Sequence, residues 1–187
     1  MMFTGQHVCL RAYSKDDLPK ARDFLNDPDV GMFLRPAIYF PYRLEDEEAW
    51  YKNLNANSDK EYSFAIDLNA DETYIGGCGI MGIDAKNRTA MVGIFLGKPY
   101  CGKGYGTDAM RVLVNFCFQE ANLHKVGLGV YGFNKCAIRS YEKVGFRTEG
   151  VLREEIFRFG RYHDKVMMGL LCSEWTPLSP LSAPKIL

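Results

Sequence analysis

Apolar and polar positions alternate at a period of two in separate stretches of this chain, each bounded by turn-forming residues. EYSFAIDL and HKVGLGVYG show this pattern, and HVCLRAY, TYIGGCGIMGI and RTAMVGIFL also read as strands. The turn-prone NADE and DAKN separate EYSFAIDL, TYIGGCGIMGI and RTAMVGIFL. In RTAMVGIFL, Ala90, Val92, Ile94 and Leu96 share one face, and Met91, Gly93 and Phe95 share the other. FRTEGVLREEIFRFG and RYHDKVMMGLLC, joined at Gly160, predict a closing hairpin.

Helical spacing takes over elsewhere. SKDDLPKARDFLND predicts a helix with Ser14 or Asp16 as cap and Pro19 in the first turn. LEDEEAWYKNLNAN predicts another. Its acidic start, Glu45 to Glu48, reads either as a complement to the helix dipole or as an acidic rim for a cationic substrate. From about 104 to 121 the chain is apolar almost all round, with Arg111, Asn115, Gln119 and Asn122 in one narrow stripe. Such a helix is expected to be buried on most sides, against a sheet. NKCAIRSYEKVG predicts a short helix with Asn134 at its N-cap and Gly145 just past its end. The aromatic VGMFLRPAIYFPYR, with Pro36 and Pro41, reads as an ordered loop, and SEWTPLSPLSAPKIL as a loose extension. The order of elements predicts a mixed α/β sheet in one domain, residues 1–172, followed by a tail, 173–187.

Composition narrows the function classes. Lys plus Arg equals Asp plus Glu at 23 each, so no polyanion partner is signalled, neither nucleic acid nor an anionic membrane. No apolar run reaches the roughly 18 residues of a membrane span. The opening MMFTGQHVCL lacks the basic and apolar regions of a secretory signal. The six cysteines show no paired or Cys/His ligand spacing, so no metal site is expected and reduced thiols in a cytoplasmic protein are.

YCGKGYGTDAMRVLVNFCF places glycines at 102, 104 and 106 directly before a helix. Such a loop offers unpaired backbone N–H groups and the positive end of a helix dipole, a combination that suits phosphate. Taken alone it is as well explained by a tight turn. The P-loop ending G-K-[ST] is missing, and the spacing is not that of the dinucleotide fingerprint G-x-G-x-x-G.

The loop does resemble the Q/R-x-x-G-x-G/A motif of the GNAT superfamily of acetyl-CoA-dependent N-acetyltransferases, with Gly104 and Gly106 at the glycine positions. Downstream, NKCAIRSYEKVGF is similar to the family's N-x-x-A-x-x-x-Y-x-K-x-G-F segment at every specified residue. GRYHDKVMMGLL and LRAYSKDDL extend the resemblance over residues 7–172. The branch it points to holds the ribosomal-protein N-terminal and polyamine acetyltransferases. The resemblance implies a mostly antiparallel mixed sheet with one splayed parallel pair, RTAMVGIFL and HKVGLGVYG, and flanking helices. It also implies roles. The backbone of Ile94, Phe95 and Leu96 would bond the acetyl and pantetheine groups of acetyl-CoA. The loop of Cys101, Gly102, Lys103, Gly104, Tyr105, Gly106 and Thr107 would hold the pyrophosphate. Asn134 and Ala137 would line the channel, Arg139 and Lys143 would approach the cofactor's phosphates, and Tyr141 would protonate the departing thiolate.

Two positions depart from the family's usual pattern. Cys101 stands where glutamine or arginine is common; it reads as a tolerated small residue, because backbone amides carry the phosphate contact, and a thiol with a pKa lowered by the helix N-terminus and Lys103 is the competing reading. Met91 stands where many members carry a glutamate base. Asp84, Glu154, Glu155, His163 or an ordered water chain are the alternatives. The expected activity is acetyl transfer to a primary amine by direct attack in a ternary complex; the competing reading is a non-catalytic acyl-CoA-binding module. The acceptor stays open among a peptide N-terminus, a polyamine and an antibiotic amine. A homodimer is compatible with the family, with no interface signal in the chain.

Overall fold

The computed structural model describes residues 3–34, 38–54 and 60–178. Seven strands, β1 (Val8–Arg11), β2 (Tyr62–Leu68), β3 (Tyr74–Asp84), β4 (Thr89–Leu96), β5 (Lys125–Tyr131), β6 (Arg147–Arg158) and β7 (Arg161–Leu171), form one sheet in the order β1-β2-β3-β4-β5-β7-β6. All neighbours are antiparallel except β4 and β5, which run parallel. The helices are α1 (Leu18–Asn26), α2 (Pro28–Gly31), α3 (Leu44–Lys52), α4 (Tyr105–Gln119) and α5 (Lys135–Val144).

The main core lies between the sheet and α4. Ala109, Met110, Val112, Leu113, Val114 and Cys117 are fully enclosed and meet Val8, Ile66, Ile80, Val126 and Leu170 from the strands. Each such aliphatic side chain contributes about 1.5–3 kcal/mol by leaving water, which holds α4 against the sheet centre. Asn115, expected in the polar stripe, is buried instead, and its Oδ1 has no partner among the described residues. Asp108 in the first turn of α4 accepts hydrogen bonds from the amides of Gln6 (3.1 Å), His7 (2.7 Å) and Val8 (3.2 Å), fastening the start of β1 to the helix.

On the other face, Tyr13, Ala21, Ala65 and Tyr74 form a smaller cluster with Phe24, Trp50, Tyr51 and Leu54 from α1, α3 and the turn after it. Tyr13 approaches so closely that a Cβ on Gly77 would lie 1.8 Å from its hydroxyl. This cluster lies over the β1–β3 half. The same face of β4, β5 and β7 carries the exposed Met91 and the exposed Gly129.

Local chemistry explains most element ends. Ser14 caps a 3-10 turn, Lys15–Asp17, that leads into α1. The stretch read as loop from Val30 begins inside α2, because Asp27 caps that turn by accepting from the Asp29 amide (2.9 Å) and Pro28 pre-sets its φ; Arg35, Pro36 and Ala37 lie outside the described residues. The acidic run opening α3 is mostly engaged. Asp46 closes a capping box with Arg43, Glu47 is buried, and Glu48 lies 3.5 Å from Lys15. Phe159 and Gly160 both take positive φ, as a two-residue hairpin turn between twisted strands requires. Past residue 172, Trp175 packs on Phe118, and residues 179–187 lie outside the described residues.

Arg11 ties β1, β2 and the α1 entrance together. Its guanidinium donates two hydrogen bonds to Asp17 (2.7 and 2.8 Å) and two to Asp67 (2.5 and 2.9 Å), both buried carboxylates. Burial works to raise the Asp17 pKa, but the bonds from Arg11 and the Ser14 amide prevail and hold it below the usual value. Arg11→Met is expected to cost about 3 kcal/mol, the lower end for an orphaned buried partner, since Arg11 is itself one-third exposed. Urea unfolding at pH 7 measures this. Because the folded pKa of Asp17 is depressed, its contribution is complete above the unfolded carboxylate value of about 3.9 and fades as pH falls below it. The difference between wild type and variant should therefore shrink in acid.

Candidate active site

β4 and β5 pair only at Thr89–Lys125, Ala90–Val126 and Met91–Gly127. Beyond that vertex they part. β4 stays paired to β3 as far as Leu96, and β5 stays paired to β7 as far as Tyr131. Each strand is thus anchored on its outer side while its inner edge faces a wedge-shaped gap. Ile94, Phe95 and Leu96 lie on that edge, with Ile94 and Leu96 packed on the main core. Backbone polar groups along the gap need partners from outside the sheet, and an extended polar chain can supply them as a strand does.

The gap opens toward the glycine loop. After β4 the chain makes a 3-10 turn, Lys98–Tyr100, and then Gly102 and Gly104 adopt φ of +75° and +89°. Gly104 is the N-cap of α4 and supplies no side-chain cap. Among the described residues, no acceptor meets the amides of Gly102 through Thr107. The start of a 15-residue helix is thereby left free for an anion. Gly106 lies against Leu96, whose Cδ1 would be 3.4 Å from a Cβ there. Lys103 is exposed, Tyr105 packs on the core, and Thr107 Oγ1 lies 2.7 Å from Ser140 Oγ on α5.

The setting of Cys101 does not favour an activated thiol. Its Sγ is turned toward the carbonyls of Gly97 (3.6 Å) and Leu96 (3.9 Å). Desolvation, with smaller contributions from Cys136 and Asp27, pushes its pKa up rather than down. The thiolate-stabilising effect inferred from Lys103 and the helix end is outweighed.

On α5, Asn134 acts as the N-cap, its Oδ1 accepting from the Ala137 amide at 3.1 Å. Tyr141 packs against the main core beside Phe146, and its hydroxyl meets no hydrogen-bonding partner among the described residues. Burial alone pushes its pKa up to about 12, so the phenol keeps its proton at neutral pH. Arg139 and Lys143 are exposed, and the Lys143 carbonyl accepts from Arg111 on α4 (3.1 Å).

The alternatives to a base at Met91 separate by position. Asp84 pairs with Thr89 at the closed end of the wedge, and hydrogen bonds from Asn87 lower its pKa, so it is a poor base in the wrong place. Glu154 and Glu155 lie in a bulge of β6 between the Leu152–Lys165 and Ile156–His163 pairs, and the Glu154 amide donates to Asp164 (3.0 Å). His163 sits at the open end, its ring 4.6 Å from that of Phe133 and its Nε2 3.0 Å from the Arg158 carbonyl. Phe33, Phe133 and Phe159 join it in an aromatic cluster, and Arg158 donates to the Met32 carbonyl (3.3 Å), so the α2 region and the final hairpin meet there.

Sequence reasoning passed over the floor of the far face. Met91 leans over Gly127 and Lys165 over Gly129, with the Met167 sulfur close by. The signal was present in KVGLGVYG, where two successive residues of one face, Gly127 and Gly129, lack a side chain.

Iodoacetamide labelling followed by peptide mass spectrometry tests the thiol assignment. Cys101 is expected to react more slowly than an unstructured peptide thiol at pH 7.5 and to catch up only as the pH passes above the ordinary cysteine value of about 8.5. Faster reaction at pH 7.5 would show a thiolate that this geometry does not stabilise.

Comparison with known proteins agrees with this geometry. Residues 7–147 match the Acetyltransferase (GNAT) domain family. The chain is 30% identical over 173 residues to the SPbeta prophage-derived uncharacterized N-acetyltransferase YokL of Bacillus subtilis, covering 92% of this chain and 94% of the relative. It is 30% identical over 171 residues to the spermidine N(1)-acetyltransferase of Vibrio cholerae, covering 91% and 96%. The crystal structure of spermidine N-acetyltransferase from Vibrio cholerae, in complex with CoA and spermine, superposes with a TM-score of 0.81 at 28% identity, covering 89% of this chain and 96% of that one. With the split parallel pair and the uncapped glycine loop in place, the chain belongs to the GNAT superfamily and is an acetyl-CoA-dependent N-acetyltransferase.

Proposed function

We propose that the β4–β5 wedge receives the pantetheine arm of acetyl-CoA and that the acetyl group passes directly to a primary amine in a ternary complex. The carrying observation is the continuity of two unsatisfied backbone surfaces, the inner edge of β4 and the amides of Gly102–Thr107. An arm bonded to the backbone of Ile94, Phe95 and Leu96 leads its pyrophosphate onto the loop 101–107 and its thioester toward the vertex at Met91–Gly127. Arg139 and Lys143, both exposed, serve the outer phosphates, while Asn134 and Ala137 line the channel.

In this reading the amine nitrogen attacks the thioester carbonyl, and a β4 amide steadies the oxyanion. The C–S bond then breaks, the Tyr141 hydroxyl gives its proton to the departing thiolate, and the proton shed by the acylated nitrogen goes to water, from which the phenol is restored. The free, protonated hydroxyl of Tyr141 supports that role. The ammonium form of the amine first loses a proton to water at the open face, where Met91 replaces a carboxylate. The acceptor is a primary amine, for which spermidine and a peptide N-terminus are the two classes of departure.

Three measurements test this. Tyr141→Phe is expected to lower kcat by about 10²–10⁴-fold, the usual worth of a general acid, with the KM for acetyl-CoA changed by less than threefold (roughly, as for a group acting only in the transition state). An unchanged kcat would remove the assignment. If no protein base assists, kcat/KM should rise about tenfold per pH unit between pH 7 and 9 for an amine of pKa near 10. A plateau reached near pH 7 would instead reveal a titrating base in the protein. Intersecting double-reciprocal lines are expected from direct transfer, and parallel lines would contradict it.

A further inference from the structure

The face of the wedge opposite α4 carries a cation. Val166, Met168 and Leu170 of β7 point into the main core, so strand alternation puts Lys165 and Met167 on the opposite face. Lys165 pairs with Tyr131 across β5 and with Leu152 across β6. Its side chain leans over Gly129: a Cβ there would lie 2.5 Å from Lys165 Cε and 3.4 Å from Nζ. Gly129 is nonetheless exposed, so the ammonium stands over open floor.

The surrounding charges leave that ammonium uncompensated. Among the described residues no carboxylate lies within ion-pair distance of Lys165. Glu149, the acid on the neighbouring floor over Gly169, is engaged by Lys125 at 2.6 Å. Asp164 belongs to the other side of β7 and accepts the Glu154 amide. Past Gly129 the Tyr131 ring on the same face meets a second cation, the Arg158 guanidinium, 6.0 Å from its centroid, while toward the vertex the floor is apolar and soft. Met91 sits over Gly127, the Met167 sulfur would be 3.5 Å from a Cβ on Gly129, and Met81 flanks Gly93. Thioethers of this kind adapt to varied apolar shapes.

We infer that Lys165 sets acceptor specificity, favouring an amine with a carboxylate about one residue's length from the reacting nitrogen, on an otherwise apolar body, and disfavouring polyamines. The inference rests on the proposed transfer at the β4–β5 vertex. Gly129 is two residues past Gly127, roughly 7 Å along the strand, so a nitrogen at the vertex places such a carboxylate within reach of Nζ. A polyamine brings a second ammonium toward the same point, where like charges repel. The chain therefore differs in acceptor from the spermidine acetyltransferase it resembles.

Initial rates of CoA release with leucyl-aspartyl amide, leucyl-asparaginyl amide and spermidine decide it, since the two peptides differ only in the carboxylate. The aspartyl peptide is expected to have a kcat/KM about 10–100-fold above the asparaginyl one, the range for a charge-assisted hydrogen bond, and above spermidine. Lys165→Met should bring the peptide ratio close to one, and Lys165→Glu should invert it. A ratio of one in wild type, a ratio unmoved by Lys165→Met, or spermidine as the preferred acceptor overturns the role of Lys165 while leaving amine transfer intact. CoA release from none of the three, with acetyl-CoA still bound, overturns both.

Discussion

A β-sheet that parts in its middle leaves backbone N–H and C=O groups facing each other too far apart to bond, and the rest of this molecule is arranged around that constraint. The outer edges of β4 and β5 are fully committed, to β3 and to β7, so neither strand can drift to close the gap. The three parallel pairs at Thr89–Met91 fix the vertex. The enclosed apolar side of α4 holds its first turn beside the open end, because Gly106 rests on Leu96. Folding thus leaves one row of unsatisfied polar groups in a defined place, where a cofactor can satisfy them.

The chemistry of the loop follows from backbone rather than side chains. Positive φ at Gly102 and Gly104 costs an L-residue about 1–2 kcal/mol, and at both positions a Cβ would meet open space. The requirement for glycine there is therefore conformational. Tyr141 shows the complementary principle. A hydroxyl set among apolar groups, with no protein partner among the described residues, stays protonated and remains available to a ligand.

Much of this was legible in the sequence. Strand-like stretches between turn-forming residues located all seven strands, and the GNAT motifs around Gly104 and Tyr141 placed the parallel pair at β4 and β5. What escaped notice depended on contacts distant in sequence. For Cys101 the sequence offered both an inert and an activated thiol, and its surroundings, which include Asp27 and Cys136, are brought together only by the fold. Asn115 fitted a polar stripe and is buried all the same. The short helix α2 was hidden among aromatics because its signal is two residues, Asp27 and Pro28. Lys165 looks like any strand lysine until Gly129 is placed beneath it.

The central claim is that the parted edge and the glycine loop together form the cofactor surface. Amide hydrogen exchange with and without CoA tests this most directly. The account predicts that CoA slows exchange at residues 94–96 and 102–107 while the distant pairing of β1 with β2 stays unaffected. Binding of CoA with no added protection in those two segments, or with protection confined to other parts of the chain, would contradict it.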